Sequence, residues 1–197
     1  DIVNANSKAF TLMINFLQKW NKKINLTSIS DTKEIFTKHI HDSLSISKYI
    51  DKSEVLDLGT GAGFPGIPLA IAHPDKRFTL LDSNKKKINY LEHLIIELGL
   101  SNISLVLSRI EDLSKKYKFK IVVCRAFGTL ENIYKNSCEN VDSDGKMILM
   151  KGKKPIAELA QLPKSLNIMV DKLEIGGLNA ESCLLYTSDA ADESTGG

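Results

Sequence analysis

Val55-Leu56-Asp57-Leu58-Gly59-Thr60-Gly61-Ala62-Gly63-Phe64-Pro65-Gly66 decides the fold of this 197-residue chain. It reads as a buried strand ending in a carboxylate, a glycine-rich turn, and a helix opened by proline. A backbone without Cβ atoms can turn that tightly and let a ligand press against it. The first amides of the following helix lack intrahelical partners and face the same opening. Further on, Arg77-Phe78-Thr79-Leu80-Leu81-Asp82 supplies a second strand that ends in an acid. A glycine turn with an acid roughly 20 residues later is the arrangement that holds an adenosine-containing cofactor.

Outward from this stretch, strands and helices alternate. Strands are predicted at Glu54–Leu58, Arg77–Leu81, Ile103–Leu107, Lys120–Cys124, Lys146–Lys151 and Leu166–Ile175. The helices between them are predicted to begin near Pro65, Lys85, Arg109, Thr129 and Pro155. Such alternation implies a mostly parallel sheet covered on both faces, with ligands beyond the carboxyl ends of its strands. The residues there are Asp57, Asp82, Ser108 to Glu111, Arg125 and Lys151. Before the first strand, Phe10, Met13, Leu17, Trp20 and Ile24 mark a helix over about Asn6–Lys23. A second helix is expected from Asp31, which has capping-box spacing with Glu34, to about Tyr49. The chain thus divides into a helical cap (1–52), a Rossmann-like core (53–187) and an artefactual or disordered tail (188–197), one structural domain overall. The composition changes from about Ser182, although Cys183–Thr187 can serve as a short last strand. The first residue is not methionine, so the start is expected to be truncated or processed.

Apolar residues make up 43% of the chain, enough for one sizeable core, and the net charge is only +2. Lys22-Lys23, Lys85–Lys87, Lys115-Lys116 and Lys151-Gly152-Lys153-Lys154 are local basic clusters. They are either solvated faces or the footprint of a polyanion. Cys124, Cys138 and Cys183 have no metal spacing and suit a reduced compartment; no metal is expected. With no signal peptide and no membrane-length apolar run, a cytoplasmic protein is expected.

Gly61-Ala62-Gly63-Phe64-Pro65-Gly66 formally matches a dinucleotide fingerprint, which by itself suggests a nicotinamide cofactor. A carboxylate at Asp57, however, crowds a diphosphate and attracts an ammonium group. S-adenosyl-L-methionine carries an ammonium, a sulfonium and no phosphate. Asp57 with Gly59, Gly61 and Gly63 suits its amino-acid end, and Asp82, followed by Ser83, suits its ribose. The plainer alternative has Asp57 capping the turn and Asp82 capping the helix at Lys85. After the third strand, Ile110 is placed to cover an adenine and Glu111 to bind its amine, or else these residues simply open a helix. Arg125 is the main site candidate outside the turn: it contacts cofactor, phosphate or base, or pairs with Asp57 or Glu111. Phe127 stacks on a base or joins the core. Cys124 reads as a small buried hydrophobe, and His39 and His41 as packing or hydrogen-bonding residues.

The chain resembles the bacterial small-subunit ribosomal RNA guanine-N7 methyltransferases, the RsmG or glucose-inhibited division protein B family. The matching residues are Trp20-Asn21 with Asn25-Leu26-Thr27; His39-Ile40-His41-Asp42-Ser43-Leu44; and Asp57 through Ala70. They continue with Leu81-Asp82-Ser83 and Lys86-Lys87, Ser108-Arg109 with Glu111, Arg125-Ala126, and Lys151-Gly152. The resemblance implies a class I S-adenosyl-L-methionine-dependent methyltransferase that acts on N7 of one guanine in 16S ribosomal RNA. It implies cofactor contacts from Gly59, Phe64, Ile110, Glu111 and Arg125, with Asp82 at the ribose. The family continues beyond Glu181 with a basic residue and an apolar strand. Here Ser182-Cys183-Leu184-Leu185 follows, and the last strand stays open. No Asn/Asp-Pro-Pro-aromatic motif follows the fourth strand, which fits a ring nitrogen rather than an exocyclic amine. RNA contacts are expected from the N-terminal helices and from Lys151, Lys153 and Lys154, the protein acting as a monomer. The competing readings are a methyltransferase of another substrate, a nicotinamide-dependent oxidoreductase, and an RNA-binding module without activity.

Overall fold

In the computed structural model, which describes residues 2–125, 128–152, 156–174 and 181–189, seven strands form one sheet. Phe127, Lys153, Lys154 and the chain from residue 190 lie outside the described residues. Four strands run almost where the apolar runs place them: β1 Glu54–Leu58, β2 Arg77–Asp82, β3 Ile103–Leu107 and β4 Phe119–Arg125. β5 spans Val141–Lys151, β6 Leu166–Glu174 and β7 Glu181–Asp189. The order is β3-β2-β1-β4-β5-β7-β6. β1 to β5 are parallel, while β7 runs antiparallel between β5 and β6. The region set apart from Ser182 onward therefore supplies eight of the nine residues of a strand inside the sheet. The short strand read at Cys183–Thr187 lies within it; the polar flanks carry no apolar pattern, because a backbone ladder needs no particular side chains.

Side-chain alternation along the strands sorts the core into two layers. Val55, Leu80, Ile121, Val123, Ile148 and Met150 join one cluster with the N-terminal cap and the helices beside it. Leu56, Leu58, Leu81, Val122, Cys124, Met147 and Leu149 join the other, with Leu130 and Ile133. Both faces being covered, the central strands read as unbroken apolar runs. β5 starts five residues earlier than expected. Its pairing with β4 shifts between Phe119 and Ile121, so polar Asp142-Ser143-Asp144 is carried as an irregularity.

The cap begins with α1 (Ile2–Ala5) and α2 (Ser7–Asn21). Phe10, Met13, Ile14 and Leu17 put one face of α2 into the core. The second cap helix starts as expected: Asp31 caps it by accepting the Glu34 N–H. It is not continuous, however. α3 (Thr32–Ile35) widens into a π-helical turn over Phe36–His41, tightens again as α4 (Asp42–Leu44), and ends in a 3-10 turn at Ser47–Tyr49. Hydroxyls of Thr37, Ser43 and Ser45 donate to backbone carbonyls three or four residues back. Such bonds compete with the regular helix ladder and bend it.

Around the core follow α5 (Gly66–Ala72), α6 (Lys85–Leu98), α7 (Leu130–Ser137) and α8 (Ile156–Leu159). The helix expected after Arg109 is a single 3-10 turn, Ile110–Asp112. No helix of the described residues is long and apolar enough to cross a membrane.

Candidate functional site

The strand order reverses between β1 and β4, and a cleft opens there at the carboxyl ends of β1 to β4. Its volume is about 550 Å³, within the range of small-ligand sites. Gly59, Asp82, Ser83, Ile110, Glu111 and Arg125, from the ends of four strands and the turns after them, line it together. Leu81, Asn84, Lys87, Ser108 and Arg109 complete the wall.

The glycine turn is built from both ends. Gly59 and Thr60 N–H groups donate to the Leu81 carbonyl at 2.9 and 3.0 Å, tying the turn to β2. Gly61 N–H donates to Asp82 Oδ2 at 3.0 Å. Gly61 has φ +60°, and a Cβ there would meet nothing closer than 3.9 Å. Its side of the turn is therefore open, and glycine is required by backbone conformation alone. Gly63 plays another part. A Cβ on it would lie 2.6 Å from Ile67 Cγ1 and 3.0 Å from Leu91 Cδ2. It permits close packing of the turn on α5 and α6 and does not line the cleft.

Asp57 stands elsewhere than expected. Strand alternation turns it into the layer below the turn, where it is 0% exposed. Its Oδ2 accepts the Thr60 hydroxyl at 2.6 Å and the Gly66 N–H at 2.8 Å. Among the described residues Oδ1 has no hydrogen-bond partner. Burial pushes the carboxyl up to about 6, against the pull of those two bonds and of Arg125. Asp57 thus braces the turn from behind, and the plainer capping alternative describes it better than an ammonium contact does.

Asp82, by contrast, reaches the cleft. Besides Gly61 N–H it accepts the Asn84 N–H at 2.8 Å. It does not cap α6; Asn84 does, accepting from the Lys86 and Lys87 amides. An asparagine directly before a helical run is itself a capping signal, and it identifies this residue from sequence.

Arg125 carries the largest surprise. Its side chain is only 17% exposed and pairs with neither Asp57 nor Glu111. The N-terminal cap holds it instead. Nη1 donates to Asp42 Oδ2 at 3.0 Å and to the Lys38 carbonyl at 3.2 Å, which the π-helical turn presents. Nη2 lies 3.3 Å from His39 Nδ1. Because guanidinium only donates, His39 Nδ1 must accept, which leaves the ring proton on Nε2. That nitrogen faces Thr27 Oγ1 at 2.9 Å. Burial first, then the neighbouring Arg125 charge, lowers His39 to about 4 and keeps it neutral. Phe64 completes the group: it stacks on His39 with centroids 4.7 Å apart and lies 5.2 Å under the guanidinium. Asn21 braces Thr27 through its backbone, donating to Thr27 O at 2.8 Å and accepting from Thr27 N at 3.0 Å. The Trp20–Thr27 and His39–Leu44 segments, distant in sequence, thus form the clamp on one strand-end arginine. Both segments stand out in the sequence, but nothing in their spacing joins them.

Lys151 does not stand free in solvent: its side chain is 15% exposed. Its Nζ donates to the Gly128 carbonyl at 2.7 Å and to Glu158 Oε2 at 3.0 Å, while Glu158 also accepts the Leu130 N–H. This lysine staples β5 to the starts of α7 and α8.

The family model for GidB, rRNA small subunit methyltransferase G, matches residues 6–183. The ribosomal RNA small subunit methyltransferase G of Aeromonas hydrophila subsp. hydrophila is 40% identical over 186 residues, 93% of this chain and 86% of that protein. Its counterpart in Nitrosococcus oceani is 41% identical, over 94% and 87%. Among solved structures, a SAM-dependent methyltransferase from Aquifex aeolicus superposes with a TM-score of 0.58 at 16% identity, covering 80% of this chain and 93% of that one. TrmN from Thermus thermophilus gives 0.59 at 16%, covering 75% and 48%. These structural likenesses establish the class I methyltransferase fold. The matched length and the identity to its relatives establish more, that the chain is a methyltransferase belonging to the GidB family, rRNA small subunit methyltransferase G.

Proposed function

We propose that the chain transfers a methyl group from S-adenosyl-L-methionine to N7 of a guanine in 16S ribosomal RNA. The observation that carries the reading is the cleft where the open glycine turn, Asp82, Glu111 and clamped Arg125 converge. The residues present fit the cofactor. Gly61 leaves open space over the turn, and Asp82 offers carboxylate oxygens suited to a ribose diol. Ile110 supplies an apolar wall and Glu111 an acceptor for an exocyclic amine. When bound, the cofactor supplies an electrophilic methyl group on a sulfonium.

The protein's own task is alignment. Guanine N7 carries a free lone pair and no proton, so no general base is required. Neutral His39 fits that requirement, since its Nδ1 is committed to Arg125 and its Nε2–H faces Thr27. Arg125, fixed from the cap side, sits at the β4 edge of the cleft, between the cofactor turn and the cap. Of the residues expected at the RNA, the N-terminal cap remains and Lys151 is held by Glu158; Lys85 and Lys86, exposed at the start of α6, join the cap in the proposed interface. The test is incorporation of labelled methyl groups into 16S ribosomal RNA from a strain lacking this modification, mapped by base, with calorimetry against S-adenosyl-L-homocysteine and NAD. Label at a single guanine N7 is expected. NAD binding without binding of the homocysteine product, or label on another molecule, overturns the proposal.

A further inference from the structure

Three lysines open α6 with no acid among them, at the helix end where cations are least favoured. Only one of the three turns into the cleft. Helical side chains lean toward the N-terminus, so Lys87 reaches back across Asn84 to the glycine turn. Its side chain is 31% exposed, and Nζ lies 3.8 Å from Asp82 Oδ2. That distance exceeds a hydrogen bond. Among the described residues no hydrogen bond satisfies this ammonium. Nζ also stands 4.0 Å from the position a Gly61 Cβ would take, beside the open side of the turn. Asp82 meanwhile holds Gly61 N–H and Asn84 N–H, which fixes the carboxylate and leaves lone pairs toward the cleft. An ammonium ion-paired with Asp82, yet with no hydrogen bond among the described residues, therefore flanks an acceptor with spare capacity. A hydroxyl both donates and accepts, so it satisfies the two at once.

We propose that Lys87 and Asp82 form a donor–acceptor pair that reads one ribose hydroxyl of the nucleoside cofactor: the hydroxyl donates to Asp82 and accepts from Lys87 Nζ. This assignment rests on the cofactor reading above and adds Lys87 to the binding residues. It predicts discrimination between ribose and deoxyribose, which a merely structural lysine does not confer.

The test is calorimetric binding of S-adenosyl-L-homocysteine, its 2′-deoxy and 3′-deoxy analogues, and 5′-methylthioadenosine to the wild type, Lys87→Met and Lys87→Arg. Circular dichroism confirms that both variants are folded, as expected for a partly exposed side chain. Lys87→Met should weaken S-adenosyl-L-homocysteine and 5′-methylthioadenosine by the same factor, about tenfold. One deoxy analogue should bind wild type and Lys87→Met alike, and Lys87→Arg should recover part of the loss. Equal weakening of the parent and both deoxy analogues overturns the pair. So does weakening of S-adenosyl-L-homocysteine but not 5′-methylthioadenosine, which would place Lys87 at the carboxylate end. An affinity unchanged within twofold also overturns it. Failure of the wild type to bind S-adenosyl-L-homocysteine refutes the cofactor reading itself and is thereby distinguished.

Discussion

Asp57→Asn is the perturbation that tests the site's construction most directly. The Asp57 carboxyl is fully buried with one oxygen lacking a hydrogen-bond partner among the described residues, and burial raises it from 3.8 to about 6. A carboxyl raised on folding makes the native state bind more protons than the unfolded chain between these values. Its stabilising contribution is full below about pH 4 and is lost as the pH rises through about 6. Roughly two pKa units correspond to about 3 kcal/mol, of which about 2 kcal/mol falls between pH 4.5 and 7.5. Asparagine keeps the acceptor for Thr60 and Gly66 but does not titrate. Its amide hydrogens, unpartnered where Oδ1 stood, cost about 1–3 kcal/mol at every pH. The difference in unfolding free energy, wild type minus variant, should therefore fall by about 2 kcal/mol from pH 4.5 to 7.5. At this chain length that is roughly 4–8 °C in the difference of melting temperatures. Urea unfolding followed by circular dichroism at half-unit steps of pH measures it. His39 acts in the opposite sense: lowered to about 4, it costs stability as the pH falls below its ordinary value of 6.5. The wild-type profile alone is thus flattened by cancellation, and the variant exposes the slope. Profiles that stay parallel within 0.5 kcal/mol would refute a buried, proton-linked Asp57.

The clamp on Arg125 gives a second expectation. Asp42→Asn keeps shape but removes the charge facing a part-buried guanidinium; kcat/KM should fall at least tenfold, with about 1–2 kcal/mol lost in urea unfolding. Gly63→Ala drives a Cβ into Ile67 at φ +94° and should destabilise the fold by about 2–4 kcal/mol. Gly61→Ala has room and should cost only about 1–2 kcal/mol of stability, yet weaken cofactor binding in calorimetry by filling the open side of the turn. Lys151→Met should lower the melting temperature through loss of the Glu158 pair, while the salt dependence of RNA binding stays as in the wild type. A reduced salt slope would return Lys151 to the RNA interface.

Much of this protein is legible without coordinates. Continuous apolar runs such as Ile121-Val122-Val123-Cys124 signal strands covered on both faces, because burial on both sides leaves no polar alternation. The glycine turn and the strand-end positions of Asp82, Ile110 and Glu111 follow from spacing, since parallel α/β topology sends all such ends to one rim. What spacing does not encode is the direction and partner of a side chain. Asp57 stands one residue before the end of β1 and Asp82 at the end of β2, and Asp57 faces below the turn while Asp82 faces the cleft. Lys151 reads as a free cation until Glu158, seven residues away, is found against it. The Lys38 carbonyl in the π-helical turn meets Arg125, 87 residues later, a contact that no local pattern announces. Local chemistry determined the elements and the cofactor turn. Tertiary packing decided which charges meet at the site, because electrostatic partners are set by distance in space and not along the chain.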